Sequence, residues 1–205
     1  MNFIVWGAQH GHVVDMALGL AKAGWTCRGI GEPEPAAVAA DLANRLSCPL
    51  VADGSALTAM PGLDLVVTAA VNSDKPGVIA ASLATGICVF SDKPLSADME
   101  GLRKIEAAVR QSGKQVWAWF SLRYEKASHV LRKLLADGEI GAPVSVEAVR
   151  PHRLTPDTRP DWMFDDGKYG GVLNDLVCHD IDLYPVSYTH LRAHETVLDL
   201  VCRLL

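Results

Sequence analysis

Phe3-Ile4-Val5-Trp6-Gly7-Ala8-Gln9-His10-Gly11-His12 lies at the start of the chain and decides how the rest is read. Four apolar residues in a row suit a strand buried on both faces, because a strand with one wet face would alternate. The glycine that ends the run, with a helical pattern at 13–23 behind it, marks a strand-to-helix turn. The same alternation continues outward. Strands are predicted at 3–6, 27–31, 63–70, 87–90 and 115–120, with helices at 13–23, 36–46, 77–85 and 99–112 between them. Apolar strands separated by helices of this length predict an α/β fold: a doubly wound parallel sheet spanning residues 1–120. Such sheets bind ligands at the carboxyl ends of their strands. That rule points to the loops at 7–12, 31–33, 70–74 and 91–94.

Beyond Arg123 the pattern changes. A helix is expected at 127–135, a turn at Asp137-Gly138-Glu139-Ile140-Gly141 and a strand at 143–149. A polar loop rich in Pro, Arg and Trp follows at 150–162. Tyr169-Gly170-Gly171 then leads into a helix carrying Asp175, His179 and Asp182. Residues 121–185 read as the opening of a second, α+β domain whose sheet is incomplete. From Tyr188 onward the sequence resembles a translated sequencing-adapter tail, so 186–205 is expected to be non-native. His190, His194 and Glu195 there do not follow the zinc-protease order, and no metal site is expected.

Composition narrows the function classes. The chain has 205 residues, 49% hydrophobic and 21% charged, with a formal net charge of -5. Charges of both signs are interspersed without a basic run, which argues against nucleic-acid binding. There is no basic segment before Phe3 and no apolar stretch of membrane-spanning length, so neither secretion nor a membrane partner is expected. The five cysteines are scattered and form no CxxC pair; they read as reduced structural thiols of a cytoplasmic protein.

Four features carry candidate chemistry. Gly7, Gln9, His10, Gly11 and His12 stand where a dinucleotide fingerprint would lie, with glycines needed for close approach of the backbone to a pyrophosphate. Gln9 and His12 occupy two of the three glycine positions, so an ordinary turn is the competing reading. Glu32 follows the second strand 25 residues after Gly7 and suits an adenosine ribose diol, disfavouring the extra phosphate of NADP; alternatively it is a solvated carboxylate like Glu34. Lys93, in Ser91-Asp92-Lys93-Pro94, sits at a predicted strand end, where it can hold a substrate hydroxyl or be a surface lysine. Asp175 and His179, four residues apart, share a face if the stretch is helical. His179 is then a natural general base and Asp175 its orienting partner, or the two form only a helix-surface hydrogen bond.

Taken together these segments resemble the glucose–fructose oxidoreductase/inositol dehydrogenase (Gfo/Idh/MocA) family. Asp92-Lys93-Pro94 is similar to its Glu-Lys-Pro hallmark. Gly170, Gly171, Asp175, His179 and Asp182 match its Gly-Gly-x-x-x-Asp-x-x-x-His-x-x-Asp run. Segments 120–124 and 134–141 agree with its domain crossover and following helix-turn. The resemblance covers 1–185 and implies a Rossmann domain, then an open-sheet substrate domain, with NAD(P) bound between them; Glu32 favours NAD over NADP. It places Lys93, Asp175 and His179 in the catalytic positions and Ala70, Asn72 and Asp92 among the cofactor contacts. Arg123 and His152 fall on the substrate side. The family's second domain needs more than the roughly sixty residues present, which implies a fragment of a longer, homo-oligomeric protein.

The expected activity is hydride transfer between nicotinamide and a hydroxyl of a sugar, cyclitol or related polyol. The alternatives are a non-catalytic nucleotide-binding sensor or an inactive truncated product, and turnover separates them from the enzyme.

Overall fold

The computed structural model describes residues 1–34, 37–142, 144, 147–149 and 151–187, with side chains described through Leu183. The expected tail at 186–205 therefore lies almost wholly outside the described residues. In chain order the first elements are β1 (Asn2–Ala8), α1 (His12–Lys22), β2 (Thr26–Gly31), α2 (Ala37–Leu46), β3 (Leu50–Val51) and α3 (Gly54–Leu57). β4 (Leu65–Ala69), α4 (Lys75–Ala84), β5 (Cys88–Asp92), α5 (Met99–Ser112) and β6 (Val116–Trp119) follow. The chain then runs through α6 (Lys126–Ala136), α7 (Asp166–Tyr169) and α8 (Cys178–Ser187).

All six strands pair in parallel, in the order β3-β2-β1-β4-β5-β6. The order reverses between β1 and β4, where such sheets open a crevice at their carboxyl ends. Phe3, Ile4 and Val5 are successive and all fully buried, as are Val66 and Val67 in β4. Neighbouring residues of a strand point to opposite faces, so both faces of the sheet are covered. Each such side chain contributes about 1.5–3 kcal/mol through its removal from water. Helix α1 buries Val13, Met16 and Ala17, the i, i+3, i+4 stripe that lays one helix face on a core. Helix α5 is started by the Asp98 carboxylate, which accepts from the Gly101 amide at 2.7 Å.

The sequence reading places five strands and four helices of this sheet and misses β3 and α3. A two-residue strand carries no periodicity. It is held by its neighbour, through the Ile30 amide to Pro49 O and the Glu32 amide to Val51 O, both at 2.9 Å. The single turn of α3 begins at an Asp53 cap.

The chain divides into two compact units, one of Met1–Trp119 with Pro160–Gly170, the other, among the described residues, of Phe120–Arg159 with Gly171–Ser187. In the first, the returning segment is anchored by the Ser73 amide to Lys168 O at 3.2 Å and by Asn72 Nδ2 to Tyr169 O at 2.9 Å. In the second, the strand expected at 143–149 is absent from its described residues, and Val144 and Val149 are exposed. A strand needs a partner ladder, and no strand follows β6 among the described residues. The expected helix at Asp175 does form, but it opens as a π-type turn at Leu173–Val177 before becoming α8.

Candidate functional site

The carboxyl ends of β1, β2, β4 and β5 bring the expected cofactor residues of the first unit together. Gly7 adopts φ 86°, and a Cβ there would stand 2.5 Å from Ala70 Cβ. Glycine is required here because the turn takes the left-handed region and passes against β4. The amides of Gln9 and His10 both donate to Ala69 O, at 3.0 and 3.1 Å, drawing the loop onto the same strand. Gly11 has open space around its missing Cβ, so that side of the loop is clear.

Glu32 is buried at the end of β2. Its carboxylate accepts from the Ala8 amide at 2.5 Å, from Gln9 Nε2 at 2.8 Å and from the Glu34 amide at 3.3 Å. Gln9, standing where the fingerprint has its second glycine, thus keeps its side chain tied to Glu32. A carboxylate has about four lone-pair directions, and a ribose diol would share them with these donors. Asn72 is engaged at both ends of its amide, giving Nδ2 to Tyr169 O and receiving Lys75 Nζ on Oδ1 at 3.0 Å.

Asp92, the last residue of β5, is the charged centre of this unit. His12 Nδ1 lies 2.8 Å from Oδ1, His10 Nδ1 lies 3.3 Å from Oδ2, and Lys75 Nζ lies 3.7 Å from Oδ2. Burial, the largest influence, pushes the Asp92 carboxyl up, but the Lys75 ammonium, the His12 hydrogen bond and the two imidazoles outweigh it. The group is held well below the usual carboxylate range and stays ionised. Burial lowers the His10 imidazole to about 4 despite the opposing pull of Asp92. The His12 ring in turn stands edge-on to Trp119, with centroids 5.3 Å apart.

Lys75 is the residue the sequence reading misses. It is fully buried at the start of α4, and Nζ also reaches Pro94 O at 3.0 Å and Asp92 O at 3.4 Å. One ammonium therefore ties the loop after β4 to the loop after β5. The available signal is Lys75-Pro76, a lysine fixed before a proline just as Lys93 is. Lys93 itself follows β5 directly and is buried.

The second unit holds the other expected residues. Asp175, His179 and Asp182 are buried, while Val172, Leu173 and Ile181 on the same stretch are exposed, the reverse of an ordinary amphipathic helix. The His179 ring meets Phe120 edge-on at 5.9 Å. Arg123 binds Asp182 through Nε at 3.0 Å and through Nη2, a two-pronged ion pair. Its guanidinium, expected on the substrate side, is held to α8 by this pair. His152 is exposed on its loop, with Nδ1 3.0 Å from Arg159 Nη2.

Fit to a dinucleotide rests on the first unit's own geometry. Gly7 makes the tight turn, Glu32 closes β2 beside it, and the space at Gly11 is open. These features suit the adenosine half of a dinucleotide.

Residues 2–120 match the model of the oxidoreductase family with an NAD-binding Rossmann fold, and residues 129–186 match the GFO/IDH/MocA C-terminal domain. An inositol 2-dehydrogenase of Agrobacterium fabrum is 28% identical over 178 residues, which are 86% of this chain and 49% of that protein. A 1,5-anhydro-D-fructose reductase of Ensifer adhaerens is 28% identical over 123 residues, 60% of this chain and 37% of that protein. The chain spans half or less of the length of these two relatives. A solved structure from Erwinia carotovora atroseptica, described as an oxidoreductase, superposes with a TM-score of 0.83 at 27% identity. That match covers 91% of this chain and 56% of the other.

Proposed function

The chain belongs to the GFO/IDH/MocA oxidoreductase family, and from that premise we propose that the protein it represents is an NAD-dependent dehydrogenase of a sugar, cyclitol or related polyol. The observation that supports this most directly is the parallel sheet whose order reverses beside Gly7 and Ala70, over the residues that match the NAD-binding domain. The inositol and anhydrofructose names of its relatives support the polyol class.

In this reading Gly7, Gln9, His10, Gly11, His12, Glu32, Ala70, Asn72 and Asp92 hold the dinucleotide, which supplies the hydride acceptor when bound. Glu32 favours NAD, since a carboxylate would repel the added phosphate of NADP. Lys93 holds the substrate hydroxyl and favours its ionised form. His179 takes the hydroxyl proton, and Asp175 orients the imidazole. Arg123, held by Asp182, and His152 are assigned to the substrate side. The full-length protein is proposed to be a homo-oligomer.

The test is polyol-dependent NADH formation. Lys93→Ala and His179→Ala are expected to abolish turnover while NADH binding, followed by fluorescence, stays nearly intact. Loss of NADH binding in both variants would overturn these roles.

One observation favours a second reading, a nucleotide-binding sensor without catalysis. The Gln9 and His10 amides are already given to Ala69 O, leaving a phosphate fewer backbone donors than a glycine-rich fingerprint would. A sensor would bind NADH and oxidise no polyol.

A further inference from the structure

We propose that His10, His12 and Asp92 form a binding site for a divalent transition-metal ion of zinc type. One ligand atom from each residue can be chosen so that all three lie within 4.8 Å of one another. His10 lies in the loop after β1, His12 opens α1 and Asp92 ends β5. They are therefore anchored by the sheet and its first helix rather than by a mobile surface.

The hydrogen bonding of the cluster is incomplete in a way that a cation would complete. His10 Nδ1 accepts from the His12 amide at 3.2 Å, so its lone pair, not a proton, faces that side. The same nitrogen stands 3.3 Å from Asp92 Oδ2. That oxygen belongs to a side chain that is only 1% exposed, and it has no hydrogen-bond partner among the described residues. A cation between the two atoms would give Asp92 Oδ2 a partner and would take the place of the His12 amide at His10 Nδ1. Lys75 offsets part of the charge from 3.7 Å, beyond hydrogen-bonding distance.

The spacing also suits the chemistry. Bonds of about 2.0–2.1 Å in a tetrahedron separate neighbouring ligand atoms by about 3.3 Å. His10 Nδ1 lies 3.3 Å from Asp92 Oδ2 and His12 Nδ1 lies 2.8 Å from Oδ1, so an ion held by one carboxylate oxygen requires the carboxylate to turn between the two imidazoles. On binding, the proton that His12 Nδ1 donates to Asp92 moves to Nε2, and the imidazole remains neutral. Two imidazoles and one carboxylate favour zinc, cobalt or nickel over calcium or magnesium, and a fourth position stays open for water. The partial exposure of both imidazoles, 22% and 29% for the side chains, gives an entry path. Lys75 opposes a divalent charge, which sets the expected affinity in the micromolar range rather than tighter.

Binding is measured without dinucleotide, so this site and the NAD reading can fail separately; if both hold, zinc and NADH compete. The experiment is calorimetric titration of the whole chain with Zn2+, and optical titration with Co2+. Saturation at one equivalent is expected, with visible d–d bands and no thiolate-to-cobalt charge transfer. His10→Asn and His12→Asn should each weaken binding by at least about 100-fold, more than loss of an outer-shell partner costs. Circular dichroism checks that each variant keeps its fold. Should Asp92→Asn fail to fold, the two histidine variants decide the matter alone. No saturation at millimolar metal, a thiolate band, or unchanged affinity in both histidine variants would overturn the site.

Discussion

Replacing Lys75 by methionine tests the buried centre of the first unit most severely. The side chain is fully buried, and Nζ is shared among Asn72 Oδ1, Pro94 O and Asp92 O at 3.0, 3.0 and 3.4 Å. Methionine matches its length but removes the donor to Asn72 Oδ1 and Pro94 O and takes the Lys75 charge away from Asp92, whose carbonyl keeps the Ser91 hydroxyl. Removing one partner of a buried pair costs about 3–5 kcal/mol, because the charge left behind has no water to solvate it. Urea unfolding at pH 7 is therefore expected to show a loss of that size.

The pH dependence gives a second readout with a definite sign. In the native protein the Asp92 carboxyl is held below its unfolded range, so its stabilisation is present above that range and is lost as pH falls through the folded value. In Lys75→Met the burial that pushes this carboxyl up is opposed only by the His12 hydrogen bond and the imidazoles, so the carboxyl sits higher than in the native protein and acid relieves part of the loss. The gap between native and variant is therefore widest at neutral pH and narrows toward pH 4. Adding Asp92→Asn to the variant should recover about 1–3 kcal/mol relative to the sum of the single losses. A loss below about 1 kcal/mol, a pH-independent gap or strict additivity would refute this account.

Three further outcomes follow from single groups. Gly7→Ala places a methyl 2.5 Å from Ala70 Cβ at φ 86°, and thermal unfolding should register a loss of about 2–5 kcal/mol from backbone strain and overpacking together. Glu32→Ser removes the acceptor of the Ala8 amide and Gln9 Nε2, so NADH affinity measured by fluorescence should fall and the NADH-to-NADPH preference should narrow. Burial, with Cys48 beside it, pushes the Cys27 thiol up to about 12. Maleimide labelling at pH 8, read by peptide mapping, should therefore reach Cys27 only when the chain is unfolded.

What the sequence made legible follows from the range of the interactions involved. The apolar runs that became β1, β2, β4, β5 and β6 are local signals, and so is the stripe of Val13, Met16 and Ala17. Lys93 could be placed at a strand end because the end of an apolar run is visible in one dimension. Leu50–Val51 could not, since it is a strand only by virtue of the carbonyls it offers β2. Nor could the His12–Asp92 pair, whose partners stand 80 residues apart and meet only because β1 and β5 flank β4. Lys75 looked like any helix-start lysine until the loops it bridges were brought together. The strand expected at 143–149 read its alternation correctly but had no ladder to join among the described residues.

Asp92 is where the lysine and the imidazoles act on the same charge, and that yields a test no general loss of structure can imitate. If Lys75 is what offsets the Asp92 carboxylate, removing it should make the protein less stable and at the same time a better ligand for a cation. The two imidazoles remain, the carboxylate is uncompensated, and the repulsion that Lys75 exerts on an incoming divalent ion is gone. Lys75→Met should therefore bind Co2+ at least about tenfold more tightly than the unaltered chain, roughly 1.4 kcal/mol, while unfolding at lower urea. Disordering of the loops would weaken both properties together, because a metal site depends on ligands held in place. Opposite signs in the two measurements identify a charge held by competition between one lysine and an empty coordination sphere. A parallel loss in both would mean that Lys75 holds the loops in place and that Asp92 is no part of a cation site.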